Sequence, residues 1–176
     1  MTLMTSSEIK HTLESMVVLV DTREQDTPSL RRRLEGLSCP FEREKLESGD
    51  YSCRFFLPDG AAHRLNVAVE RKMNLDELCS CFTRGRPRFA REFERARESG
   101  TKLHLLIECG SWDHALSGKY RSRFNPEALS ASMLAWSARF QSGIFFCKPE
   151  NTGKLIFKIL RYELKEQLEG GKFDSA

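Results

Sequence analysis

Long apolar runs are missing from this chain. The longest uninterrupted ones, such as Met16 to Val20, span about five residues, far short of the roughly 20 that a membrane-crossing helix needs. A membrane partner is therefore not expected. The opening residues, MTLMTSSEIKHTLES, lack the basic start and apolar stretch of a secretory signal, so the protein is expected to stay in the cytoplasm where it is made. Paired CxxC motifs are absent too. The cysteines Cys39, Cys53, Cys79, Cys81, Cys109 and Cys147 are scattered through a chain larger than a disulfide scaffold, and free thiols are expected. Cys79 and Cys81 form a CxC pair with no nearby histidine, which reads as packing rather than zinc ligation. Strong charge of one sign is also lacking: 28 basic against 25 acidic residues leave a net charge of +3, too little by itself to identify a polyanion partner.

What is present fits one globular domain. The chain has 176 residues, 40% of them hydrophobic and 30% charged, enough for a real core and unlike a collagenous or disordered composition. The basic residues are clustered rather than spread. Several arginines fall between Arg84 and Arg97, Arg31 to Arg33 are consecutive, and Lys119, Arg121 and Arg123 alternate through a loop-like stretch. Each cluster reads either as a solvated face or as a phosphate-binding surface.

Periodicity predicts an α/β order. Met16 to Val20 is a β-branched strand ending at Asp21, followed by a turn and a short helix beginning at Pro28. Phe41 to Leu46, Tyr51 to Leu57 and Leu65 to Glu70 read as a three-stranded meander, with the turn residues at Pro58 to Gly60 joining the second and third. A helix opens at Asn74 or Leu75 and runs to about Phe82. A second follows Gly85 and Pro87, with Phe89 and Phe93 on one side and Arg88, Arg91 and Arg95 on another. Lys102 to Glu108 and Ile144 to Cys147 are predicted strands. The stripes Leu129, Met133, Trp136, Phe140 and Ile156, Ile159, Leu160, Leu164, Leu168 mark two late helices. The expected fold is a central mixed β-sheet flanked by helices on both faces, with inner strands at Met16, Leu65 and Lys102. Residues 1–15 read as an extension, 16–170 as the domain and 171–176 as a tail.

Several acids lie where these strands end. Asp21 closes the first, Gly49-Asp50 opens another, and Glu70-Arg71-Lys72 ends the next, with Asp76 on the following helix. Side chains alternate along a strand, so Glu70 and Lys72 share a face and a carboxylate can meet an ammonium. Convergent carboxylates suit a hard cation such as Mg²⁺ beside a phosphodiester, with the lysine either orienting or activating the attacking water or neutralising developing charge. Taken singly, each acid reads as a cap or a surface ion pair. The string ERKxxxD, however, fixes four positions and follows a predicted strand into a predicted helix.

These strings resemble the hallmark of the XPF/Hef/Mus family of structure-specific DNA endonucleases, a branch of the PD-(D/E)xK superfamily. The hallmark is GD followed by ERKxxxD, standing here as Gly49-Asp50 and Glu70 to Asp76, with Val20 to Glu24 similar to the family's VDxRE. GRPRFAREF from Gly85 and LLIE from Leu105 extend the likeness over roughly Met16 to Leu160. The resemblance implies the restriction-endonuclease-like fold. It implies catalytic roles for Asp21, Asp50, Glu70, Arg71, Lys72 and Asp76, with Mg²⁺ or Mn²⁺ held by Asp50, Glu70 and Asp21, and with Arg23 and Glu24 in support. It also implies DNA contact at Arg86, although Pro87 beside it departs from the family pattern. Arg88, Arg91, Lys119, Arg121 and Arg123 are expected to add phosphate contacts. The implied activity is hydrolysis near flaps, forks or branched junctions in repair, recombination or phage DNA processing.

The helicase-like and helix-hairpin-helix regions of larger family members are missing from the sequence, which resembles minimal phage and bacterial versions or else an excised domain. A non-catalytic DNA-binding scaffold and an RNA-processing enzyme stay open as alternatives. A homodimer through the two late helices is set against the use of both as cover for one face of the sheet.

Overall fold

The computed structural model describes residues 3–173. Residues 1 and 2 of the expected extension and 174–176 of the expected tail lie outside them. The strands β1 (Val17–Val20), β2 (Phe41–Arg43), β3 (Tyr51–Phe56), β4 (Ala62–Arg64), β5 (Val67–Lys72), β6 (Lys102–Glu108) and β7 (Ile144–Cys147) form one mixed sheet in the order β2-β1-β3-β5-β6-β7, with β4 also paired to β3. Its layout corrects the expected meander. β2 does not pair with β3 but runs parallel to β1, which lies between them. The reason is burial: VVLV is covered and takes partners on both sides, whereas all three residues of β2 are exposed and suit an edge.

Two helical layers cover the sheet. On one face lie α3 (Leu75–Phe82), α4 (Arg86–Glu98) and α6 (Pro126–Phe140), whose Phe82, Phe89, Phe93, Trp136 and Phe140 form one aromatic cluster over Leu103, Leu105 and Ile107. Within it Phe89 and Phe93 meet edge to face at 4.9 Å. On the other face lie α2 (Pro28–Glu35) and α7 (Thr152–Glu169), with Ile156, Leu160 and Leu164 against Val18, Val20, Val67 and Val69. The two late apolar stripes therefore cover opposite faces.

The segment read as an extension carries a further helix, α1 (Ser6–Glu14), begun by a reciprocal capping box between Thr5 and Glu8. Its Leu13 joins the α7 core, and the Leu13 carbonyl accepts from Arg161. A short helix, α5 (Trp112–Ser117), precedes the loop of alternating cations.

A partly buried polar cluster ties the sheet to α7. Lys102 Nζ donates to both carboxylate oxygens of Glu163, at 2.9 and 3.0 Å, and His104 Nε2 lies 2.6 Å from Oε1. Since Gly143 N–H donates to His104 Nδ1, the ring proton belongs on Nε2 and points at Glu163. The His104 hydrogen bond, opposed by burial and helped by Lys102, lowers the Glu163 carboxyl from 4.5 to about 2. A depressed folded-state value stabilises the fold above the unfolded pKa, and that stability disappears as pH falls through the folded one. Melting temperature between pH 5 and 2 should accordingly drop more steeply in the wild type than in Glu163→Gln, and parallel curves would refute the assignment.

Candidate active site

Sheet pairing brings the strand-end acids to one edge. Val20 pairs with Tyr51, and Tyr51 with Val69. Asp21 N–H donates to the Asp50 carbonyl and Asp50 N–H to the Val69 carbonyl, both at 2.9 Å. Gly49 makes this close approach possible. Its φ is +73°, and a Cβ there would sit 2.9 Å from Leu103 Cδ1 and 3.0 Å from the Ala68 methyl. Asp50 Oδ2 then accepts the Arg71 backbone N–H at 2.8 Å, which fixes the carboxylate beside β5.

Alternation along β5 divides the ERK string between the two faces. Glu70 and Lys72 turn toward α4, are both buried, and meet at 2.6 Å between Oε1 and Nζ. The ammonium also lies 5.5 Å from the centre of the Phe89 ring. Burial opposes the Lys72 charge, but the Glu70 carboxylate outweighs it and the lysine holds its proton more firmly than usual. Both Asp50 and Glu70 are pushed above the ordinary carboxylate range, chiefly by burial. The Glu70 charge adds to this at Asp50; at Glu70, Lys72 pulls the other way and Glu92 pushes up.

Asp50, Glu70 and Lys72 line a cleft of about 670 Å³, with Arg23 beside them. Helix α3 supplies Glu77, Ser80 and Cys81 to its wall, the segment entering α4 supplies Arg84, and α4 itself supplies Arg88 and Glu92. Among the described residues no three His, Cys, Asp or Glu side chains form a ready-made metal cage. Mg²⁺ does not require one, because it retains waters and typically takes one or two carboxylates together with substrate phosphate. Two carboxylates of raised pKa, Glu70 buried and Asp50 half-buried, open to a cleft rimmed by arginines and fit such an ion.

Residues 20–159 match the family model of the ERCC4 domain. The chain belongs to the ERCC4 family. Among solved structures it is similar to XPF from Aeropyrum pernix, with a TM-score of 0.58 and 24% identity over 83% of this chain and 60% of that one. It is also similar to XPF from Aeropyrum pernix in complex with DNA, with a TM-score of 0.60 and 23% identity over 85% of this chain and 66% of that one. The chain thus spans about three fifths to two thirds of their length, and at these identities the likeness is one of fold. A search of curated proteins returns no match. The fold is that of an XPF-type nuclease domain, restriction-endonuclease-like, as the motifs implied.

The other expected site residues of this ERCC4 domain divide into groups. Asp21 is fully buried and occupied: its oxygens accept from Arg23 Nε at 2.7 Å, Arg23 Nη2 at 3.1 Å, and the backbone N–H groups of Arg23 and Leu46 at 2.8 and 2.7 Å. Burial works against its charge, but the Arg23 and backbone bonds prevail and its pKa is lowered. Asp21 therefore aims Arg23 into the cleft. Arg71 points to the opposite face and grips Glu108 at 2.8 and 2.9 Å. Glu24 lies on that face too, accepting from Arg33 at 3.0 Å and from the Tyr51 hydroxyl at 2.9 Å. Asp76 does not line the cleft; its Oδ1 accepts the Ser122 N–H at 2.7 Å.

The basic residues also part company. Arg88 lines the cleft and Arg91 is exposed one turn along. Arg86 is held over the aromatic cluster instead, 5.1 Å from the Trp136 ring centre and donating to the Phe82 carbonyl. Lys119, Arg121 and Arg123 are exposed. Sequence reasoning missed Glu77, Arg84 and Glu92 in the cleft and Glu108 behind it. The available signal for Glu92 was its place three residues after Phe89, on the flank of the face expected to pack.

Proposed function

We propose that this ERCC4 domain is a DNA endonuclease dependent on Mg²⁺ or Mn²⁺, cutting near flaps, forks or branched junctions to leave a 5′-phosphate and a 3′-hydroxyl. The observation that carries the reading is the convergence of Asp50 and Glu70 beside Lys72 in a cleft walled by Arg23, Arg84 and Arg88. Asp50 and Glu70 would hold the cation. Bound there, a divalent ion supplies Lewis-acid stabilisation of the phosphate's developing charge and lowers the pKa of water. Lys72, kept protonated by Glu70, is placed to neutralise charge on the same phosphate, and the arginines orient the backbone. Repair, recombination and phage DNA processing are the settings that such chemistry serves.

Cleavage of linear duplex, 3′-flap, splayed fork and four-way junction, each with Mg²⁺ and with EDTA, tests this. Metal-dependent cutting of at least one branched substrate in preference to duplex is expected. Binding with no cleavage of any substrate would instead support the scaffold reading.

If Lys119, Arg121 and Arg123 hold phosphates, replacing all three with alanine should weaken binding across sequences. It should also flatten the slope of log affinity against log salt by about 0.9 for each phosphate that is no longer neutralised. An unchanged slope returns them to the solvated surface. A homodimer through the late helices would use what their core stripes leave over. That includes Leu134 and Tyr162, 57% and 58% exposed, on helices that cover opposite faces of the sheet.

A further inference from the structure

The loop from Gly118 to Asn125 alternates, and the alternation has a physical basis. Lys119, Arg121 and Arg123 are exposed, while Tyr120, Ser122 and Phe124 are partly buried. Tyr120 and Phe124 pack against the aromatic core under α6. The loop is tied at each inward residue. Tyr120 Oη donates to the Phe124 carbonyl at 2.7 Å, and Phe124 N–H donates to Ser122 Oγ at 3.1 Å. At its entrance Gly118, with φ +73°, ends α5, and Lys119 N–H returns to the His114 carbonyl at 2.9 Å. At its exit Asn125 caps α6. Helix α3 holds the loop through Ser122: its N–H donates to Asp76 Oδ1 at 2.7 Å, 46 residues away in sequence, and its side chain hydrogen-bonds Cys79 as well.

We propose that Asp76, the last residue of the ERKxxxD string, is a positioning residue for DNA binding: it pins Ser122 inward so that Lys119, Arg121 and Arg123 stand outward as one phosphate-binding ridge. The inference rests on the nuclease reading for what the ridge holds, but the pin itself is a property of the fold. A backbone N–H that loses a charged acceptor in a half-buried place must find another partner or move outward. Either response shifts the bent segment around Ser122, and because Lys119, Arg121 and Arg123 flank it a small shift turns the cations away from their shared direction. Helix α3 also carries Glu77, Ser80 and Cys81 of the cleft wall, so the pin sets the ridge at a fixed offset from Asp50 and Glu70.

The test compares Asp76→Ala and Asp76→Asn in the full chain. Asparagine keeps an Oδ1 acceptor for Ser122 N–H and loses the charge. Affinity for a labelled flap in EDTA, its salt dependence, and steady-state cleavage with Mg²⁺ are measured for each. Asp76→Ala is expected to weaken binding by about tenfold, to flatten the salt slope toward that of the Lys119, Arg121 and Arg123 triple variant, and to raise KM while kcat is kept. Added to the triple variant it should cost nothing further. Asp76→Asn should remain close to wild type in all three.

Loss of kcat in both variants with affinity intact would overturn the proposal and make Asp76 catalytic. Hydrogen exchange of residues 119–125 provides the readout that needs no DNA. Exchange should quicken in Asp76→Ala and stay slow in Asp76→Asn, and unchanged exchange in both overturns the pin. Should the wild type bind no DNA, the nuclease reading fails while the exchange result still decides the pin. Should the alanine variant not fold, wild-type affinity, salt slope and exchange in the asparagine variant support the pin, and quickened exchange there overturns it.

Discussion

Replacing Asp50 or Glu70 with alanine is expected to reduce Mg²⁺-dependent cleavage by about a thousandfold or more, with DNA affinity in EDTA held within about twofold. Each change removes negative charge from the floor of the cleft and leaves the arginine wall intact, so binding and chemistry separate. Asp50→Asn and Glu70→Gln should behave alike, because the amides keep the shape and lose the charge. Melting temperature is the control: Asp50→Asn relieves a charge that burial opposes and should not destabilise the fold, whereas Glu70→Gln leaves the buried Lys72 ammonium without its carboxylate and should cost some stability. Lys72→Ala should lower cleavage by about a hundredfold, and there some destabilisation is expected as well, since Glu70 loses the ammonium 2.6 Å away. Metal-dependent activity retained in both Asp50 and Glu70 variants would remove the proposed site.

The cleft floor was readable from the sequence because alternation is a local rule. Once Leu65 to Glu70 is a strand, Glu70 and Lys72 must share a face and Arg71 must take the other. The stripes on α6 and α7 were readable for the same reason, and the helix starts at Pro28, Asn74 and Pro126 followed from cap chemistry. Pairing between distant segments is not local. Nothing in FER says that it lies beside VVLV instead of beside Tyr51, and only the burial of both β1 edges settles the order. What the motif carboxylates hold is not local either. Asp21 and Asp76 occupy motif positions, yet what each holds, Arg23 and Leu46 in one case and Ser122 in the other, depends on chains that arrive from elsewhere. Glu92 reached the cleft because α4 crosses it.

Glu108→Ala is expected to destabilise folding by about 3–5 kcal/mol, the usual cost of breaking a buried ion pair from one side. This carboxylate ends β6, and its side chain is 5% exposed. It accepts from Arg71 at 2.8 and 2.9 Å and from Thr152 Oγ1 at 2.7 Å, with Arg33 Nε 3.7 Å away. Arg33 is tied in turn to Glu24 and Tyr51. Without Glu108 the Arg71 guanidinium is deprived of its carboxylate, while Arg33 keeps Glu24 and the Tyr51 hydroxyl. Burial raises the Glu108 pKa, but the Arg71 and Thr152 hydrogen bonds outweigh it and the net shift is downward. Its contribution is therefore present at neutral pH and fades as pH drops below the unfolded carboxylate value. The loss should also reach the cleft. Arg71 fixes Asp50 through its own backbone N–H, so a residue that anchors the Arg71 side chain behind the sheet steadies the acid in front of it. Urea unfolding at pH 7 gives the stability, and cleavage assayed well below the melting temperature gives the effect on the site. Glu108→Gln, which keeps an acceptor for Arg71, should lose less on both counts. A Glu108→Ala cost under about 1 kcal/mol would show that the network is solvated rather than buried, and would leave Asp50 to be positioned by the sheet alone.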